Sequence, residues 1–203
     1  MRLILASASP RRAELLRAAG IPFDVSAVDI DECFHPGEQP QHAVARLAEA
    51  KTMTAAAHYR DAAVLGADTT VVIHGEALGK PVDEADAARM LTLLSGQTHE
   101  VLTGVCLSAQ GRSLVRVEST RVRMARLDPE EIAWYIGTGE AADKAGAYAV
   151  QGLASRFIAS IDGSHSNVVG LPISCVYELL KELGCDILGT VRTRKPAAIH
   201  DTI

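Results

Sequence analysis

The chain opens on an all-apolar run, Leu3 to Ala6, that suits a buried strand. Ser9-Pro10 then carries the chemistry of a helix start, with serine at the N-cap and proline, preset in φ, at the first helical position. The pattern predicts a helix from Pro10 to Ala19, a left-handed stop at Gly20 and an extended return over Ile21 to Val28. Between Gln41 and Tyr59, Val44, Leu47, Ala48, Lys51 and Ala55 fall on one helical stripe that is apolar except for its lysine. Val64 to Ala67 and Val71 to Ile73 read as strand on either side of Asp68-Thr69-Thr70, which is expected at a strand end or bend, and His74-Gly75 suits a turn. Asp83 announces a helix over Glu84 to Leu94 that Ser95-Gly96 closes.

The next segments look antiparallel. Glu100 to Ala109 and Ser113 to Arg126 flank a Gln110-Gly111 turn, and Val115, Val117, Val122 and Met124 alternate with polar residues in the second arm. Asp128-Pro129-Glu130-Glu131 places an N-cap, a proline and a third-position glutamate before a short helix that carries Trp134. Arg156 to Ile161 reads as strand and Pro172 to Leu183 as a last helix stopped by Gly184. From Cys185 onward the periodicity fails, and the basic run Arg192 to Lys195 reads as solvated tail. Strands alternating with helices, then a hairpin-rich middle, indicate an α/β fold with a mixed sheet.

Charge narrows what such a fold could bind. Twenty Lys plus Arg stand against twenty-five Asp plus Glu, a net charge of −5 that argues against a general grip on nucleic acid or anionic lipid. Any bound anion must be held by a local cluster. The longest stretch free of charged residues, Gly163 to Tyr177, includes His165, Asn167 and Pro172 and falls short of the roughly 18 apolar residues that a membrane helix needs. No signal-peptide pattern opens the chain, and Cys33, Cys106, Cys175 and Cys185 form no CxxC pair, so reduced thiols and a cytoplasmic setting are expected.

The local cluster is found after the first strand. Arg11 and Arg12 stand in the first turn of a helix, where a cation opposes the helix dipole by about 0.3 to 1 kcal/mol. A strand leading into a helix start also points free N–H groups at one spot, and Ser7 and Ser9 add hydroxyls. The arrangement reads as a phosphate site; the plainer account is two solvated arginines. If they serve a ligand, removing them is expected to leave the helix as stable as before or slightly more so. Lys51 on its apolar stripe either pairs with a counter-charge or snorkels to solvent. Asp68 within an apolar run is poorly explained by folding alone, although a turn aspartate capping its own backbone is the ordinary alternative. Asp31-Glu32 is a second acidic pair, and one or two carboxylates with substrate phosphates are what Mg²⁺ takes. Gly79-Lys80-Pro81 sets a lysine in a rigid loop, and the glycine-flexed run from Asp143 to Gly152 is suited to reading a substrate. The seven histidines show no zinc spacing, and no GxSxG or Walker motif occurs.

Ser7-Ala8-Ser9-Pro10-Arg11-Arg12, Gly66-Ala67-Asp68-Thr69, Gly79-Lys80-Pro81, Leu94-Ser95-Gly96 and Asp143-Lys144-Ala145-Gly146-Ala147-Tyr148 occur together and in order. This combination resembles the Maf family of nucleoside triphosphate pyrophosphatases, over about residues 1 to 184. The loop ending in Gln151-Gly152 is similar to the dTTP/UTP branch. The resemblance implies a two-lobed Maf/ITPase-like α/β fold with an elongated mixed sheet and a cleft between lobes, followed by a poorly ordered tail over 185–203. It also implies a divalent cation, Mg²⁺ or Mn²⁺, a homodimer, and a house-cleaning role. By the same resemblance Asp68 is the proton acceptor, and Arg11, Thr69 and Gln151 bear on substrate choice. Ser7, Arg12, Glu32, Lys51 and Lys80 match polar positions of the cleft, with Glu32 and Asp68 as candidates for the metal and Lys51 and Lys80 for charge neutralisation. A tyrosine is usual in the family where this chain has His165.

The expected reaction is hydrolysis between the α and β phosphates of dTTP or UTP, releasing pyrophosphate, with Asp68 taking the proton of a metal-bound water. Two other readings stay open: a nucleotide-binding regulator of cell division or septum formation with little turnover, and an enzyme acting on the terminal phosphate. For the base, the Gln151 amide can meet the N3–H and carbonyl of thymine or uracil, provided that Thr69 and the backbone of the 143–152 loop hold it in one orientation.

Overall fold

The computed structural model describes residues 1–185. The opening apolar run forms β1 (Leu3–Leu5), buried throughout, and α1 (Pro10–Ala18) follows with Pro10 in its first turn. Ser9 stands at the N-cap, but its hydroxyl caps nothing; its N–H instead donates to Ser7 Oγ at 3.2 Å. Gly20 adopts φ +68°, the left-handed stop. The extended return is much shorter than the pattern suggests: β2 (Asp24–Val25) pairs only where the three-residue β1 offers partners, Ile4 to Asp24 and Leu5 to Val25.

α2 (Pro40–Ala56) buries Val44, Leu47, Ala48, Lys51 and Ala55, the whole predicted stripe with its lysine. β3 (Ala63–Ile73) corrects the expectation for Asp68. The strand is continuous over 11 residues, and β5 (Thr98–Ala109) pairs with it from Val64 to Val72, so Asp68 lies mid-strand opposite Gly104. What ends at this level is β3's other neighbour. β1 pairs with β3 only as far as Leu65, and β4 (Glu76–Leu78) takes up that edge from Val71, after a turn in which His74 and Gly75 both have positive φ. Among the described residues that edge of β3 has no strand partner between Gly66 and Thr70.

α3 (Glu84–Leu94) starts at Asp83, whose carboxylate accepts from the Asp86 N–H at 2.7 Å. β5 and β6 (Arg112–Met124) form the long hairpin, turning at Gln110 and Gly111. Val122 and Met124 are buried, whereas Val115 and Val117 are more than a third exposed. α4 (Pro129–Gly137) has both hydrogen bonds of the capping box between Asp128 and Glu131. A 3-10 turn over Leu153–Phe157 replaces the start of the expected strand, and β7 (Ile158–Asp162) follows. α5 (His165–Val169), which the pattern does not announce, is capped by Ser164, and α6 (Ile173–Glu182) ends before Gly184.

The sheet runs β2-β1-β3-β5-β6-β7 with β4 on β3; β2, β1 and β3 are parallel and the rest antiparallel, which is the expected mixed sheet. One apolar cluster joins Leu5, Leu65 and Leu107 to α1 and α6, and another joins Val71, Ile73 and Val101 to α3 and α4. The long strands β3 and β5 contribute to both, and the unpaired stretch of β3 lies between them. Of the tail expected at 185–203, only Cys185 is among the described residues, and it is buried in the first cluster.

Candidate active site

Two glycines bring α2 against the sheet. A Cβ on Gly66 would lie 2.4 Å from Thr52 Oγ1, and one on Gly104 would lie 2.1 Å from the Val44 carbonyl oxygen. Only a bare backbone at these positions lets the helix sit so close. Strand alternation puts Asp68 on the same face as Gly66. The helix therefore delivers Lys51 directly to the aspartate. Lys51 Nζ lies 2.7 Å from Asp68 Oδ1 and 2.6 Å from Glu32 Oε1, so a buried ammonium is shared by two carboxylates. Of the two sequence readings of Lys51, pairing holds and snorkelling does not. Burial works against ionisation of Glu32, but Lys51, Lys80 and Arg12 outweigh it and hold this carboxyl below its ordinary value.

The opposite wall is the start of α1. Arg12 donates from Nη1 to Ser7 Oγ at 3.1 Å, from Nη2 to Thr69 Oγ1 at 3.1 Å and from Nε to the Gly170 carbonyl at 2.9 Å. It is a tie between α1, β3 and the end of α5 rather than a solvated cation. Burial lowers its pKa from the ordinary arginine value, while Asp68 and Glu32 pull in the other direction. Arg11 is less committed, with one donation to the Asp143 carbonyl at 3.3 Å. Thr69, on the sheet face opposite Asp68, also exchanges a hydrogen bond with Thr103 at 3.0 Å.

These groups line one cleft of about 670 Å³. It contains Ser7, Arg11, Arg12, Glu32, Lys51, Asp68, Thr69 and Lys80, every site residue expected from the sequence except Gln151. Lys80 is exposed, and among the described residues it forms no ion pair. Gln151 is exposed and outside the lining, and Thr69, expected to steady its amide, is engaged by Arg12, Thr103 and Gly170. The lining carries five cations (Arg11, Arg12, Lys51, Lys80, Lys144) against three carboxylates (Glu32, Asp68, Asp143), on a chain whose net charge is −5. This is the local cluster that anion binding requires. Val28, Phe34, Val71, Val101 and Tyr148 add apolar surface to the same cleft. A roomier groove of about 950 Å³ between α3 and α4 has only Glu84 and Arg126 as charged lining and offers no such chemistry.

Thr103 and the Gly170 carbonyl, which fix Thr69 and Arg12, are not among the residues that the sequence marks. A β-strand threonine and a backbone oxygen carry no local signal of such a role. The donor set fits a hard divalent cation of the Mg²⁺ type: Asp68 and Glu32, both paired with the Lys51 ammonium, bring two carboxylates to the same cleft, and the remaining coordination is left to substrate and water oxygens. Among the described residues no cluster of three or more His, Cys, Asp or Glu side chains forms an all-protein cage.

The family model described as "Maf-like protein" matches residues 2–183. A protein of Koribacter versatilis named dTTP/UTP pyrophosphatase is 52% identical over 184 residues, covering 91% of this chain and 95% of the relative. One of the same name from Symbiobacterium thermophilum is 51% identical over 186 residues, covering 92% and 96%. Among solved structures, the Ham1 protein of Staphylococcus aureus aligns over 62% of this chain and 72% of its own at 14% identity, with a TM-score of 0.44.

Proposed function

The chain belongs to the Maf family, and on that premise we propose that it hydrolyses dTTP and UTP to the nucleoside monophosphate and pyrophosphate. The observation that carries the reading is the apposition, across one cleft, of the arginine-bearing start of α1 and the Asp68–Lys51–Glu32 group. Phosphoanhydride hydrolysis is mostly positioning and charge neutralisation, and these are what the lining supplies.

The triphosphate lies against Ser7, Arg11 and Arg12, with Lys80 as a further cation at the rim. Arg12, already fixed through three hydrogen bonds, presents its charge without further ordering, whereas Arg11, with one long hydrogen bond, and the exposed Lys80 can close on the phosphates. Asp68 accepts the proton of the attacking water through the carboxylate oxygen that Lys51 leaves unoccupied. Lys51 keeps the two carboxylates apart and their charges compensated. Asp68 and Glu32 would hold Mg²⁺ or Mn²⁺, which when bound neutralises part of the triphosphate charge. The apolar side of the cleft, with Tyr148 at its wall, takes the base, and Gln151 on the following turn is the residue assigned to its polar edge. Activity as a cytoplasmic homodimer belongs to the same reading; no described helix is long and apolar enough to cross a membrane.

The test is turnover of canonical nucleoside triphosphates by the purified protein with Mg²⁺, with pyrophosphate and orthophosphate measured in parallel. Pyrophosphate from dTTP and UTP is expected. Orthophosphate as the first product would move the chemistry to the terminal phosphate, and tight nucleotide binding with no product would leave a regulator.

A further inference from the structure

Behind the loop that follows the cleft wall lies a polar cluster that the hydrolysis does not use. Glu140 Oε1 accepts from the Leu153 N–H at 3.0 Å, and its Oε2 accepts from the Ala154 N–H at 3.3 Å and from the Tyr135 hydroxyl at 2.8 Å. The same Tyr135 hydroxyl accepts from the Ala149 N–H at 3.1 Å. Tyr135 is fully buried in α4, and burial together with Glu140 keeps its phenol protonated. Two side chains thus bind three main-chain N–H groups, one before Gln151 and two after it. Gly152 is part of the fit, because a Cβ there would stand 2.0 Å from Glu140 Oε1.

Ala149 and Ala154 are buried and their N–H groups need internal partners, whereas Leu153 is exposed and its N–H could be met by water. A phenol and a carboxylate accepting main-chain N–H groups on both sides of Gln151 fix the backbone there. Among the described residues no hydrogen bond holds the Gln151 side chain, and Thr69 is occupied elsewhere. What the cluster fixes at Gln151 is therefore the main chain and not the amide. The Ala149 N–H is also one residue beyond Tyr148, whose hydroxyl is held from behind by His99 Nε2 at 2.8 Å.

We propose that Tyr135 and Glu140 are positioning residues for base selection: they pin the segment from Ala149 to Ala154, which adjoins Tyr148 at the cleft wall, so that the main chain beside the cleft presents one pattern of donors and acceptors to the base. The proposal rests on the reading that this loop faces the base of a pyrimidine triphosphate. Main-chain N–H and C=O groups held in one place separate uracil from cytosine, which present reversed donor–acceptor pairs, whereas a mobile loop accommodates either.

The experiment compares kcat/KM for UTP and CTP in the wild type, Glu140→Gln, Tyr135→Phe and Gln151→Glu, with urea unfolding of each protein. The UTP:CTP ratio is expected to fall by about tenfold in Glu140→Gln and Tyr135→Phe, of the order that unsatisfied polar groups allow. Pyrophosphate should remain the product. Tyr135→Phe keeps the buried ring, so it carries the test if Glu140→Gln does not fold. A loss of stability or of overall rate with an unchanged ratio overturns the proposal, because a merely structural role predicts that outcome. If the ratio shifts in Gln151→Glu but in neither positioning variant, the proposal fails and the base reading stands. If it shifts in the positioning variants alone, the proposal holds and Tyr148 replaces Gln151 as the reader. Equal wild-type turnover of UTP and CTP overturns both.

Discussion

Lys51 sits on a stripe where every neighbour is apolar, and desolvating a lone ammonium there would cost several kcal/mol or neutralise it. Asp68 and Glu32 compensate it at 2.7 and 2.6 Å. Asp68→Asn preserves the shape of the side chain and leaves Glu32 on Lys51, so the fold is expected to persist while turnover drops by roughly 10² to 10⁴, the usual loss for a positioned general base. Steady-state kinetics beside a circular dichroism spectrum checks both halves; turnover above about a third of the wild-type rate would take Asp68 out of the mechanism. Arg12 reverses an expectation drawn from the helix dipole. Its three hydrogen bonds tie α1 to β3 and α5, and they outweigh a dipole term of about 0.3 to 1 kcal/mol. Arg12→Ala is therefore expected to lower unfolding free energy by about 1 to 3 kcal/mol as well as to raise KM, since Thr69 and the Gly170 carbonyl lose their partner. Arg11→Ala, which gives up one long hydrogen bond, should raise KM with little change in stability. Equal stability of Arg12→Ala and wild type in urea would reduce Arg12 to a surface cation.

At the scale of elements, the approach of α2 to β3 and β5 sets the distance from Lys51 to Asp68, and Gly66 and Gly104 set that approach. A methyl at Gly104 would meet backbone, the Val44 carbonyl at 2.1 Å, which no rotamer change relieves. Gly104→Ala is expected to destabilise the protein by about 1 to 3 kcal/mol or more and to lower kcat by displacing Lys51. Gly111→Ala, in open space at the far turn of the hairpin, should cost only its positive φ and leave kcat alone. Urea unfolding and kinetics on the pair separate the two effects. Neither glycine could be assigned from the sequence, because close packing of a helix on a sheet leaves no mark but the glycine itself. The elements were legible where periodicity or capping chemistry was strong, as in α2, α3 and the capping box of α4. Asp68, Thr69 and Thr70 have the chemistry of turn residues, so the pattern breaks β3 where the structure does not. The ladder with β5 carries them through, and the break lies in the neighbouring strands, information that only the pairing holds. α5 escaped notice because five residues are too few for a period to register.

For the molecule as a whole, the cleft depends on two apolar clusters sharing β3 and β5, and the second of these encloses a titratable group. His99 is 2% exposed, its Nε2 meets the Tyr148 hydroxyl at 2.8 Å, and its Nδ1 has no partner among the described residues. Among the described residues no carboxylate pairs with it, and burial pushes its pKa down from 6.5 to about 4. The unfolded chain therefore takes up a proton near pH 6.5 that the folded chain refuses until about pH 4. Stability due to the neutral imidazole is complete above pH 6.5 and is lost progressively as the pH falls between those values. A shift of this size corresponds to roughly 3 kcal/mol at most, a large share of the 5 to 15 kcal/mol that holds a typical domain together. Substituting His99→Gln keeps a polar group that can reach Tyr148 but does not titrate. Its unfolding free energy in urea should change less between pH 7 and pH 4.5 than that of the wild type, even if the variant is less stable at pH 7. Parallel pH profiles for the two proteins would show that acid sensitivity arises elsewhere, and that the wall behind Tyr148 tolerates an imidazolium.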